Sequence, residues 1–590
     1  MRWTPFSAHT SETLKVSGRR ILGWRTLLWT FLAALLLYSL GLGNHELWDY
    51  HEPYVGGIVR EMASSGDWVV PTLNGQPYLE KPPLFYAMGA LVCRLTGSLD
   101  PWALRLPSAL LALGTVAWIS FLGWRLSSAR AGGWAGFMVG TGVLFFEVGH
   151  MAVVDMTLTA AVSFGLGLAF LALVEPAYRS RWVPWFWASL GLAFLAKGLV
   201  GPVLVLLPLG ATLMIQRDRR LLMAFLRPNW GMAAALGLAA LWIGLLAHRG
   251  GADFLAEVFL RNTFGRFLAD PGLVPRTGRL GEHVEPFLFY VQRVPGNLLP
   301  WLAIWGAALS SALPRRRRHH LSPRTYFLPL SFGLVLLLLS LSAEKRMVYI
   351  LPVFPISFLH AALWLDARVP RAHRRIDRTL MTVLALTFFF IGLLGAGFPW
   401  VAMVRAQVPW GAALALSLGS LVLSGVSLRL LWRRDFPGAL DWGMAQWAGF
   451  LAAFLVLAVP QWDREIWRPL ADPYAAAREL EQAGARVVEG RLSETQLGFA
   501  SLRLRHVLPV ADEAGPLRAA LASERPVAAL VEPLWWAVEL AARPPGEVWP
   551  TAASGLPPSQ RGRAPLLVLN PAAARLASRG GRPPAPPGPG

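Results

Sequence analysis

Between Asp49 and Lys81 an otherwise apolar chain gathers groups that can do acid–base and anion chemistry. The stretch "WDYHEP" supplies Asp49, His51 and Glu52, and "LEKPPL" supplies Lys81. Further on, Asp155 stands in "GHMAVVDMTLT", Lys197 in "LAKGLVGP", Arg261, Arg266 and His283 between two apolar runs, and Lys345, Arg346 and Tyr349 in "EKRMVY". Lysines and arginines of this kind bind phosphate oxygens, while a carboxylate nearby takes a proton from an attacking group. Asp49, Glu52 and His51 are the three candidates for that base, and sequence gives neither reach nor pKa to choose among them. His51, Glu52 and Asp155 are also residue types that hold a divalent metal, but no HxH or HxxxH spacing marks such a site, so a metal is possible and no cofactor is required. Plainer roles compete with each reading. Asp49 and Glu52 suit the first turn of a helix, Lys81 suits a snorkelling position, and the Glu344–Arg346 triplet suits an interfacial turn.

The elements that position these groups must be membrane helices. Of 590 residues, 54% are hydrophobic and only 15% charged, which is the composition of a polytopic membrane protein. The net charge of +20 does not signal nucleic acid, because the arginines lie in short clusters between apolar runs. Cys93 is the single cysteine and rules out an internal disulfide. About thirteen runs have near-spanning length: 21–43, 102–124, 131–148, 156–174, 182–196, 199–215, 230–247, 296–313, 326–343, 347–365, 378–398, 409–432 and 442–460. With the N-terminus in the cytoplasm, every strongly basic loop falls on the cytoplasmic side, including the run Arg315–Arg318. Counting 84–97 as a span would reverse that order, so this stretch is expected to lie along the interface.

Three exported regions follow: a first outer loop (44–101), a second (248–295) and a soluble α/β domain (461–575), closed by a disordered Pro/Gly tail (576–590). Residues 1–460 form the membrane part. All the groups named above fall at outer helix ends, and span centres are nearly free of charge, which argues against a transporter or flippase. Phosphate-binding cations at that height suit a polyprenyl phosphate, a substrate that cannot leave the bilayer. This places the protein in a plasma (inner) membrane.

The stretches "EPYVGGIVREMASSGDWVVPTLNGQPYLEKPPLFYAMGAL", "GHMAVVDMTLT", "LAKGLVGPVL", "EHVEPFLFYV" and "EKRMVYILPVFP" resemble, in order, the motif series of the bacterial GT-C glycosyltransferases related to aminoarabinose transferase and protein O-mannosyltransferases. The resemblance covers about residues 40–360. It implies a GT-C fold and inverting transfer of a sugar from a polyprenyl-phosphate donor to an envelope acceptor (lipid A, glycan or protein) at the periplasmic face. It also implies that Lys81 lies by the donor phosphate, that Asp155 is the second acid of the site, and that Lys197, His283, Lys345, Arg346 and Tyr349 line or support the donor cavity. The family shows an adjacent Asp-Glu pair where this chain has His51-Glu52. Asp49, two residues earlier, is the replacement carboxylate in a "WDxxE" variant.

Overall fold

The computed structural model describes residues 18–47, 51–268, 284–312, 322–372, 378–406, 410–504, 508–509, 514–539, 546–555 and 563–579. Each of the thirteen apolar runs is met by a helix. Among the described residues, eight helices are long and apolar enough to cross a membrane, or nine when the bent pair α5 (Ala129–Thr141) and α6 (Val143–Gly149), at 68° to each other, counts as one span. The other runs fall short for stated reasons. The apolar part of α1 (Gly18–Ser39), α9 (Val200–Gln216) and the Leu302–Ala312 helix are shorter, and α8 (Arg179–Lys197) carries Arg179, Arg181 and Lys197.

The segment between α1 and α4 (Pro101–Leu126) holds locally built elements. Helix α2 (Glu52–Ser65) opens with Glu52 and Pro53 in its first turn, where an acid meets the positive helix end and proline loses no hydrogen bond. It stops at Gly66, whose φ of 74° admits the left-handed cap. Strands β1 (Thr72–Leu73) and β2 (Gln76–Pro77) then form a hairpin through Asn74 and Gly75, both at positive φ as a tight two-residue turn demands. Helix α3 (Leu84–Thr96) has only 13 residues, about 20 Å of helix, too short to cross a bilayer. It leads into α4 (Pro101–Leu126).

A largely helical path continues from Phe436 through Gln482, passing two π-helical stretches, and delivers the chain to a five-stranded sheet. Its order is β4 (Leu508–Pro509), β3 (Arg486–Gly490), β5 (Val527–Val531), β7 (Leu566–Leu569), β6 (Glu547–Trp549). Strand β3 runs parallel to β4 and β5, while β7 runs antiparallel to both its neighbours. The sheet does not stand apart. Tyr54, Val55, Ile58 and Val59 of α2, Tyr78, and Phe85 and Tyr86 of α3 share one buried core with Tyr474, Val487, Phe499, Leu530 and Leu567.

Candidate active site

One network locks the chain before α2, and Glu52 at the start of α2, to α4. Arg105 on α4 is fully buried, as is its partner Glu52. Its Nε donates to Glu52 Oε1 at 2.7 Å and its Nη2 to Oε2 at 2.7 Å, and the remaining donors go to the carbonyls of Leu42 (2.8 Å), His45 (3.1 Å) and Glu46 (2.8 Å). Glu52 Oε1 also accepts from the Ala152 amide at 2.7 Å, tying in the turn that precedes α7 (Val154–Val174). Both oxygens of Glu52, one of the three candidates for the base, are therefore engaged with Arg105 and the Ala152 amide. His45, in the same network, is pulled down to about 3, first by burial and then by the Arg105 charge.

Above this lock the polar groups converge. Tyr54 stands one turn into α2 from His51, its ring stacked on Tyr78 at 5.7 Å, and Tyr78 stands edge-on to Tyr86 at 6.3 Å. The Tyr78 hydroxyl donates to Glu80 Oε2. Lys81 lies 3.0 Å from Glu80 Oε1 and donates to the Tyr54 hydroxyl at 3.3 Å. Asp155, at the start of α7, accepts from Lys197, at the end of the antiparallel α8, at 2.5 Å. The Lys197 ammonium sits 4.0 Å from the Tyr349 ring centroid. Arg346 closes the group, with Nη1 2.6 Å from His51 Nε2.

Charge in this group is mutually adjusted. Burial works against the Lys81 ammonium, but Glu80 beside it and the hydroxyls of Tyr54, Tyr86 and Tyr349 hold its pKa well above the usual lysine value. Burial opposes Arg346 as well, and Tyr349, Tyr54, Glu80 and Asp155 more than offset it. Three cations, Lys81, Lys197 and Arg346, thus face two carboxylates, Glu80 and Asp155. The surplus positive charge suits an anion such as a phosphate diester.

Other expected residues are placed differently. Asp49 and His283 lie outside the described residues, and Arg266 is described only in its backbone. Arg261 pairs with Glu257 at 3.0 Å on the Ala256–Gly265 π-helix. Lys345 gives its ammonium to the carbonyls of Ser342 (2.5 Å), Glu285 (2.7 Å) and Ala343 (3.4 Å), stitching the chain at Glu285 to the turn before Arg346. Of the residues expected to line or support the donor cavity, Lys345 thus commits its ammonium to backbone carbonyls beside Arg346. The metal candidates His51, Glu52 and Asp155 each face a cation, Arg346, Arg105 and Lys197 respectively, an arrangement that opposes a divalent ion between them. Among the described residues no group of three His, Cys, Asp or Glu gathers to hold a metal. Sequence reasoning passed over Tyr54, Glu80 and Arg105. Arg105 carried a signal, since a lone arginine inside an apolar run must find a partner.

Comparison with known proteins finds relatives of the chain and of its fold. Residues 80–243 match the family model described as dolichyl-phosphate-mannose-protein mannosyltransferase. An undecaprenyl phosphate-alpha-4-amino-4-deoxy-L-arabinose arabinosyl transferase of Pectobacterium carotovorum is 29% identical over 409 residues, 65% of this chain and 69% of the relative. The protein of that name from Aeromonas salmonicida is 30% identical over 341 residues, 56% of this chain and 58% of the relative. The fold is similar to ArnT from Cupriavidus metallidurans bound to undecaprenyl phosphate, with a TM-score of 0.72 and 21% identity over 92% of this chain and 98% of that one.

Proposed function

We propose that this chain, a multi-pass GT-C membrane glycosyltransferase of the aminoarabinose-transferase and protein-mannosyltransferase kind, moves a sugar from a polyprenyl-phosphate donor to an acceptor of the cell envelope. One observation carries this reading: Lys81, Lys197 and Arg346 arrive from three distant segments and converge with Glu80 and Asp155. The acceptor oxygen attacks the anomeric carbon as the bond to the phosphate oxygen breaks, with inversion. Lys81, Lys197 and Arg346 stabilise the charge that grows on the departing lipid phosphate, the point where preformed positive charge contributes most. With Glu52 held by Arg105 and Asp155 by Lys197, Asp49 is the carboxylate assigned to take the acceptor proton.

The names of the relatives favour an undecaprenyl-phosphate-linked amino pentose as donor, and an envelope glycolipid such as lipid A is the acceptor assigned to it in this reading. The mannosyltransferase family match favours a second reading, in which the acceptor is a protein hydroxyl. Residues 1–460 form the membrane catalytic unit, with the N-terminus cytoplasmic, and residues 461–575 an extracytoplasmic domain in contact with the site.

The test is turnover. Protein in lipid nanodiscs, given labelled polyprenyl-phosphate sugars with lipid A or with unfolded envelope proteins, is expected to release free polyprenyl phosphate in one acceptor arm. Lys81→Ala and Lys197→Ala are each expected to lower the rate by two orders of magnitude or more. Wild-type rates in both variants would remove the site assignment, and no release with any donor would remove the activity.

A further inference from the structure

The helix Glu494–Arg503, which follows β3 in the C-terminal sheet, packs against both arms that bring Lys81 to the site. On the first arm, α2 lies so close that a Cβ added to Gly498 would stand 2.3 Å from the backbone N and Cα of Tyr54 and 2.6 Å from the carbonyl carbon of Pro53. Gly57 returns the contact, since a Cβ there would stand 3.1 Å from the Gly498 carbonyl oxygen. Only glycine at this crossing lets the two helix backbones meet. Arg60, two turns along α2 from Pro53, donates to the carbonyls of Ser501 and Leu504 and so caps the C-terminal end of the same helix.

The second arm is the hairpin. Glu61 Oε1 accepts from the Ser501 hydroxyl at 2.7 Å and from the Asn74 amide at 2.6 Å, and its Oε2 accepts from the Gly75 amide at 3.1 Å. One carboxylate thereby joins the Glu494–Arg503 helix to the turn whose outgoing strand runs directly into Tyr78, Glu80 and Lys81. Asn74 also reaches Glu489 of β3 at 3.5 Å, and Arg503 pairs with Glu46 in the segment that Arg105 holds. Tyr54 and Lys81, the ends of the two arms, meet at 3.3 Å.

We infer that the Glu494–Arg503 helix is a positioning element of the transferase site: Gly498 and Ser501 set the spacing between Tyr54 and Lys81, so that the C-terminal unit is part of the catalytic apparatus and not only a platform for acceptors. The inference rests on the reading of Lys81 as a donor-phosphate ligand for its effect on kinetics, and on geometry alone for its effect on Lys81 itself. A side chain at position 498 cannot be accommodated unless the Glu494–Arg503 helix and Tyr54 separate by about an ångström, and a displacement of that size passed to a reacting centre costs up to about a hundredfold in rate.

The experiment uses the full chain in nanodiscs and compares Gly498→Val, Ser501→Ala, Ser501→Thr and the control Gly515→Ala, whose added Cβ meets open space. Three quantities are read for each: pulse acetylation of Lys81 by mass spectrometry, donor KM and kcat, and the thermal midpoint. The Lys81 side chain is only 11% exposed, so its acetylation in the wild type is slow. Gly498→Val is expected to raise the Lys81 labelling rate at least tenfold and to raise donor KM by a similar factor. Ser501→Ala is expected to give a smaller change in the same direction, restored by the hydroxyl of Ser501→Thr, and the control none. If Lys81 labelling and KM stay at wild-type values while only the thermal midpoint falls, the helix is a structural prop and the inference is wrong. If wild type turns over no donor, the functional reading fails, while altered Lys81 labelling in Gly498→Val still upholds the clamp.

Discussion

Replacing Glu52 by glutamine separates two roles that a carboxylate in this position can have. The side chain would keep its outline, and an amide oxygen placed at Oε1 would still accept from Arg105 Nε and the Ala152 amide, both at 2.7 Å. The amide nitrogen would then take the place of Oε2 and meet Arg105 Nη2 at 2.7 Å, donor against donor. Worse, the guanidinium would keep its full charge with no carboxylate in a place where neither side chain has any exposure. Breaking a buried ion pair by removing one partner costs about 3–5 kcal/mol. Against a net stability on the order of 5–15 kcal/mol, that is about a fifth or more of the total. Glu52→Gln should therefore lower the thermal midpoint sharply, measured by tryptophan fluorescence in nanodiscs, while turnover per folded molecule, read well below that midpoint, stays within a few-fold of wild type. Adding Arg105→Met should recover part of the loss, because the stranded charge is gone; it cannot recover all, because the carbonyls of Leu42, His45 and Glu46 lose their donor. The reasoning is refuted if Glu52→Gln melts like wild type yet loses a factor of about 10²–10⁴ in rate, the signature of a missing general base.

Two further outcomes follow from the same geometry. His45 is held near a pKa of about 3 while the unfolded chain titrates near 6.5, so between those values the unfolded state binds the extra proton. Stability should fall as pH drops from about 6.5 toward 3, by up to about 1.4 kcal/mol per unit from this residue, and His45→Gln should flatten that part of a melting profile taken from pH 8 to 4; an equal slope in both proteins would exclude His45 as the cause. A phosphatase reporter joined after Arg579 should be active only when exported, and activity on the cytoplasmic side would overturn the orientation taken from the arginine clusters.

The bilayer makes some features legible in one dimension. A span needs a run of apolar residues, so the helices, and the place of Asp155, Lys197, Arg346 and Tyr349 at or beyond helix ends, could be read from the sequence. Pairing across distance is another matter. Glu52 looked like an uncommitted acid because its partner, Arg105, lies 53 residues away inside another run. Lys345 and Arg346 are neighbours with like charge, and nothing local tells that one ammonium folds back onto carbonyls while the other side chain meets His51. The same limit hid the role of the C-terminal sheet. Its alternating apolar runs announce an α/β unit, but the shared core with α2 and α3 depends on Gly498 meeting Tyr54, a contact between segments more than four hundred residues apart. That contact also bears on the altered acid pair. His51 opens the helix that the C-terminal unit holds in place, and Arg346 Nη1 stands 2.6 Å from its Nε2. The imidazole at position 51 is thus held by Arg346, a side chain from a segment almost three hundred residues away, and no local pattern announces that pairing.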